Sequence, residues 1–231
     1  MKTERMIVGG IPAILWGEPS SKIYIHVHGK LSRKEYAEQF AGIAEHKGFQ
    51  TLSFDLPEHG ERNGDPTYRC DIWNGIHDLS VIADFVFPEW NEVSLYACSL
   101  GAYFSLHAYA DRPFAKCLFQ SPILDMEHLI RQMFAWYGVT EEQLRDKQEI
   151  STPIDTLRWD YYQYVLQHPV RRWIIPTSIL YGGRDVFQNY AVVKDFTDRY
   201  GCRLTVSEQS EHPFMAPEDA EIVVRWLREN I

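Results

Sequence analysis

Short strand-like runs alternate with amphipathic stretches along most of this chain, and that alternation restricts its possible folds more than any other feature. Six segments read as strands: Ile23–His28, Gln50–Leu56, Val93–Cys98, Ala115–Gln120, Thr177–Tyr181 and Arg203–Ser207. The near-continuous apolar runs among them suit strands buried on both faces of a parallel sheet. Between them, apolar residues recur with the helical period. Tyr36, Ala37, Phe40, Ile43 and Ala44 share one face, as do Ile72, Ile76, Leu79, Ile82 and Val86. Val192, Val193, Phe196 and Tyr200 repeat the pattern, and Ile222, Val223, Trp226 and Leu227 close it. Pro217-Glu218-Asp219 supplies a first turn for that last helix, since proline needs no amide partner there and acids favour the positive end. Met6–Trp16, with Gly9-Gly10 inside it, reads as an antiparallel hairpin at the sheet's edge. The order predicts an α/β fold around a central sheet.

Residues 125–173 break the rhythm. No buried strand is evident there, while Phe134, Trp136, Tyr137, Trp159, Tyr161, Tyr162 and Tyr164 are crowded together. Val139–Gln148 reads as a short polar helix started by Thr140. The stretch is too long for a plain connection and reads as an insertion. It is either a packed excursion with its own core or a cap whose aromatic residues wall a site. The expected division is therefore a core of residues 1–124 and 174–231 with a cap insertion at 125–173.

Composition narrows the function classes. The 231 residues carry 23 Lys and Arg against 32 Asp and Glu, a net charge of −9, which disfavours nucleic acid and anionic membrane surfaces as partners. No apolar run approaches the ~20 residues that span a bilayer. Cys70, Cys98, Cys117 and Cys202 are far apart and form no CxxC pair. They read as free thiols in a reducing cytosol, so a cytoplasmic location is expected.

The segment Val93–Tyr103 (VSLYACSLGAY) carries the chemistry. A strand runs directly into Ser99 and a helix begins within a residue or two, so the turn is sharp, and Ala97 and Gly101 keep neighbouring backbone clear of it. This is the small-x-Ser-x-Gly form of a nucleophile elbow, with Ala97 at the first glycine position. A serine hydroxyl needs a base. His212 lies between the last strand and the last helix, at the carboxyl edge of a parallel sheet where Ser99 should also sit. Asp185, just past the preceding strand, meets the need for a carboxylate behind that base, and Asp125 is a rival for the same role. His26 and His28 form an HxH pair without further ligands nearby in sequence, so neither metal nor organic cofactor is expected. His59 is read as structural and His46, His77, His107, His128 and His168 as satisfied or solvated, while His28 sits where Gly29 would let backbone approach a ligand and is expected to be dispensable as a side chain.

These residues resemble the α/β-hydrolase superfamily over essentially the whole chain. His28-Gly29 is similar to that family's HG oxyanion loop, and Asp55-Leu56-Pro57-Glu58-His59-Gly60 to its D-x-x-G-x-G loop, with Pro57 and Glu58 departing from the usual glycine. The elbow and the order Ser99, Asp185, His212 match the family's order of nucleophile, acid and base. The resemblance implies a mostly parallel eight-stranded sheet flanked by helices, with a small cap inserted after the sixth strand. The expected activity is hydrolysis of a small carboxylic ester by a serine hydrolase through an acyl-enzyme. Thioester, peptide or acyl-transfer chemistry on the same triad, or a non-catalytic ligand-binding member of the fold, are the alternatives. Backbone N–H groups of Leu100 and Lys30 are expected to form the oxyanion hole, and Trp136, Tyr137, Trp159 and Tyr162 to wall the substrate.

Overall fold

A computed structural model describes residues 1–65 and 67–231 of the chain. Its strands, in chain order, are β1 (Thr3–Val8), β2 (Ile11–Trp16), β3 (Lys22–Val27), β4 (Gln50–Phe54), β5 (Glu92–Cys98), β6 (Cys117–Gln120), β7 (Glu149–Ser151), β8 (Thr156–Arg158), β9 (Thr177–Gly182) and β10 (Arg203–Ser207). Its α-helices are α1 (Glu38–Glu45), α2 (Ile72–Val86), α3 (Leu100–Ala108), α4 (Met126–Tyr137), α5 (Glu141–Lys147), α6 (Trp159–Gln167), α7 (Tyr190–Tyr200) and α8 (Asp219–Asn230).

One eight-stranded sheet runs in the order β1-β2-β4-β3-β5-β6-β9-β10. The β1–β2 hairpin is antiparallel, as its glycine turn suggests, and β2 meets β4 antiparallel. From β4 to β10 every pairing is parallel. Strand alternation divides the interior in two. Ile23, Ile25, Leu95, Ala97 and Phe119 point to the face covered by α2, α3 and α7, in a core with Leu79, Ile82, Phe104, Val193 and Phe196. Tyr24, Tyr96 and Leu118 point to the other face, against Phe40 of α1 and Val223, Trp226 and Leu227 of α8. The apolar stripes legible in the sequence are thus the faces these helices bury.

Between β6 and β9 lie α4, α5, the β7–β8 pair and α6. Thr140 starts α5 through a capping box with Gln143. Strands β7 and β8 pair antiparallel in a sheet of their own, outside the main sheet. At three residues each they are too short to show a period in sequence. No helix among the described residues is long and apolar enough to cross a membrane.

Candidate active site

The turn between β5 and α3 holds Ser99 at φ 50°, ψ −120°, a region that non-glycine residues rarely occupy. Such strain costs about 1–3 kcal/mol and persists only where neighbours fix it. Here the Ser99 amide donates to Gln120 O at 3.2 Å, and the Ser99 carbonyl accepts from Ala102 N at 3.0 Å and Ile123 N at 3.2 Å. Gly101 lets α3 lie against the end of β3, because a Cβ there would come 2.4 Å from the His28 carbonyl oxygen. Gly29 likewise lies against the elbow, where a Cβ would sit 3.0 Å from that of Ser99.

Two further loops at the same sheet edge complete a hydrogen-bonded chain. The Ser99 hydroxyl lies 2.8 Å from His212 Nε2, and His212 Nδ1 lies 2.8 Å from Asp185 Oδ2. The other Asp185 oxygen accepts from Phe187 N at 2.8 Å and Gln188 N at 3.1 Å, so the carboxylate is fixed by backbone. Its loop is stitched to the one carrying His212: Arg184 N donates to Ser210 O at 3.0 Å, and Gly182 approaches so closely that a Cβ would meet that oxygen at 2.6 Å. Ser210 in turn donates to the buried Asp219 at 2.5 Å, which ties the loop to the first turn of α8. The Phe187 ring stands edge-on to the His212 ring at 4.7 Å. Asp125, the rival acid, is used otherwise. Its carboxylate caps α4 by accepting from His128 N at 2.9 Å.

The loop after β3 is held by two histidines. Leu56 N donates to His28 Nε2 at 3.1 Å while His28 Nδ1 donates to Gly29 O at 2.7 Å, so both ring nitrogens are engaged. Burial pushes the His28 imidazole down to about 4. Leu31 N donates to His59 Nε2 at 3.1 Å, and His59 Nδ1 donates to Pro57 O at 2.7 Å. Between these anchors lies Lys30, whose backbone N–H donates to no acceptor among the described residues; the same holds for Leu100 N–H at the start of α3. Under the loop, buried Asp55 accepts from Lys34 N at 2.9 Å, Lys34 Nζ at 2.6 Å and Glu61 N at 2.9 Å. His168 is remote in role: it stacks on Tyr164 at 4.0 Å.

A cavity of about 880 Å³ opens at Ser99 and His212. Met126, Leu129, Ile130 and Met133 of α4, with Leu157, Tyr161 and Phe187, form one part of its wall. None of the four aromatics expected there borders it, which corrects the expectation. Trp136 and Tyr137 continue the α4 stripe one turn beyond the cavity, and Trp136 reaches it only through Phe187, at 6.0 Å between rings. Tyr162 is fully buried between Phe134 and Trp159, with its hydroxyl 3.3 Å from Glu141. Successive residues on α6 point ~100° apart, so Tyr161 faces the cavity where Trp159 and Tyr162 do not. A smaller polar cavity of about 370 Å³ lies alongside; Lys30 and Asp155, which form an ion pair, border both.

The whole chain superposes on solved structures of one architecture. Est1E from Butyrivibrio proteoclasticus, with ferulic acid bound, matches with a TM-score of 0.79 over 98% of this chain and 96% of its own, at 17% identity. Alpha/beta hydrolase domain-containing protein 10 from mouse matches with a TM-score of 0.78, covering 99% and 98%, at 16% identity. This chain has the α/β-hydrolase fold. An esterase of Pyrococcus furiosus shares it at a TM-score of 0.69, covering 99% and 89%, at 16% identity. No protein-family model and no curated relative matches by sequence. On this α/β-hydrolase sheet Ser99 follows β5, Asp185 follows β9 and His212 follows β10, all at carboxyl ends of parallel strands. The cavity-facing stripe of α4, and Gln188, which joins the Asp185 loop to Leu124 and Asp125 through its amide, were not singled out in the sequence. The α4 stripe had a signal, apolar residues at i, i+3, i+4 and i+7 from Met126.

Proposed function

We propose that this chain is a serine hydrolase that cleaves carboxylic esters of small, largely neutral molecules. The observation that carries this reading is the continuous hydrogen-bond chain Ser99–His212–Asp185 opening into an apolar cavity. In the proposed reaction the Ser99 oxygen attacks the ester carbonyl and His212 Nε2 takes its proton, with Asp185 holding the opposite ring N–H. The carbonyl oxygen becomes an oxyanion that accepts from the N–H groups of Leu100 and Lys30, a reading supported by neither group donating elsewhere among the described residues. Collapse breaks the bond to the alcohol, which leaves with the proton from His212. Water then repeats the sequence on the acyl-enzyme, its proton passing through His212 to restore Ser99 as the acid departs.

Residues 125–173 act in this reading as the cap, supplying α4, the β7–β8 pair and Tyr161 over the mouth of the site. The same chemistry needs neither metal nor organic cofactor, and a cytoplasmic location remains part of the proposal. The esterase of similar fold named above supports the choice of ester over other acyl substrates. Turnover of a graded series of neutral esters tests it. Saturable hydrolysis that Ser99→Ala reduces by at least ~10³-fold is expected. A wild-type chain that binds esters but hydrolyses none would identify a ligand-binding member of the fold instead.

A further inference from the structure

The cavity wall has a second part that the proposed chemistry does not use. Beyond Ser99 it continues along the other face of the sheet, between α1 and α8, past Phe40, Tyr96, Phe214, Val223 and Leu227. These residues belong to the core on that face, separate from the one to which Met126, Ile130 and Met133 belong. The cavity therefore has two arms that meet at the nucleophile, one under α4 and one between α1 and α8.

The second arm contains an unpaired polar group. His26 is only 6% exposed, its imidazole borders the cavity, and its Nδ1 has no hydrogen-bond partner among the described residues. Two polar side chains beside it are already paired: the Tyr96 hydroxyl donates to Gln120 Oε1 at 2.8 Å, and Gln120 Nε2 donates to Pro213 O at 2.9 Å. The ring is held flat against Tyr96 at 4.6 Å and edge-on to Phe40 at 5.3 Å. An imidazole so fixed in an apolar wall can give or accept one hydrogen bond, and leaving it unmade is costly. His26 lies opposite Tyr96, three residues before Ser99, so the ring sits about 10 Å along the strands from the nucleophile.

We propose that the arm between α1 and α8 binds the portion of an ester that ends in a hydroxyl group, which hydrogen-bonds to His26, while the arm under α4 takes an unsubstituted apolar group. This rests on the hydrolase reading and adds the substrate class: esters with a hydroxyl separated from the carbonyl by an apolar spacer. Burial pushes the His26 imidazole down to about 3, so it is neutral near pH 7 and suited to an uncharged partner.

The test uses two near-isosteric pairs, 6-hydroxyhexyl acetate against heptyl acetate and ethyl 7-hydroxyheptanoate against ethyl octanoate, each followed by acid release. The readout is the kcat/KM ratio of hydroxyl to methyl within a pair. For the pair whose long arm enters this lobe, His26→Phe, which keeps the ring stack, should lower that ratio by roughly tenfold. His26→Gln should restore part of it. Equal ratios in wild type and His26→Phe for both pairs would overturn the proposal while leaving the hydrolase reading intact. No turnover of any of the four esters by the wild-type chain would overturn the hydrolase reading, and this proposal with it.

Discussion

Gly101 and the His28 carbonyl are in such close contact that any side chain at Gly101 forces the helix and the strand end apart. That single contact couples the two proposed oxyanion donors, since α3 carries Leu100 and the backbone after His28 carries Lys30. Gly101→Ala places a Cβ 2.4 Å from backbone oxygen, which must move. A displacement near 1 Å at such a site costs on the order of 10²-fold in rate. Gly101→Ala is therefore expected to stay folded by circular dichroism while kcat/KM falls about 100-fold. Unchanged kinetics would mean that the two donors are not set by this contact.

The two aspartates weighed for the triad separate by the partners of their carboxylates. Asp185→Asn should lower kcat by about 10³–10⁴-fold, because the amide favours the wrong imidazole tautomer and cannot balance its charge. Asp125→Asn keeps a capping side chain on α4 and should change kcat less than about threefold. Steady-state kinetics of both variants check this, and reversed severities would move the acid to the end of β6.

Lys34 and Asp55 form a buried ion pair at 2.6 Å beneath the loop after β3, with the side chains 1% and 0% exposed. Removing Lys34 leaves the Asp55 carboxylate without its cation, which typically costs about 3–5 kcal/mol, whereas without Asp55 the Lys34 ammonium keeps Glu61 at 2.8 Å and Glu35 at 3.3 Å. Lys34→Met should destabilise by that amount in urea unfolding and Asp55→Leu by less, and the double variant should lose less than the sum. Additive losses would show that the pair contributes no mutual stabilisation.

Much of this architecture was legible in the sequence because its signals are local. The six strand runs, the glycine hairpin and the Thr140 helix start each depend on residues within a few positions of one another, and so does the elbow at Ser99. The pairing of Asp185 with His212 was readable because both follow strands and must emerge at the same edge. The aromatics of residues 125–173 were misplaced because composition tells which residues are bulky but not which way a helix turns them. Trp159 and Tyr162 share one face of α6 and pack inward, while Tyr161 between them faces the cavity. His26 was unreadable for a similar reason: its lack of a partner among the described residues depends on Tyr96 and Gln120 bonding each other.

Burial also sets a pH dependence of stability. His26 is held near 3 and His28 near 4, both below the ordinary value of 6.5. As pH falls through about 6.5 the unfolded chain takes up these protons and the folded chain does not. Stability is thus fully present above about pH 6.5 and declines toward pH 4, by up to about 1.4 kcal/mol per pH unit for each histidine. The urea midpoint should be lower at pH 5 than at pH 7, with a smaller difference in His26→Phe. A midpoint that is equal or higher at pH 5 would contradict the buried, neutral state of these rings.

The central claim, that Ser99 is an activated nucleophile, is tested most directly by intact-mass analysis after exposure to a fluorophosphonate. One adduct per chain is predicted, mapping by peptide sequencing to Ser99, absent in Ser99→Ala and strongly slowed in His212→Ala. An unlabelled wild-type chain, or an adduct that persists in Ser99→Ala, would contradict it.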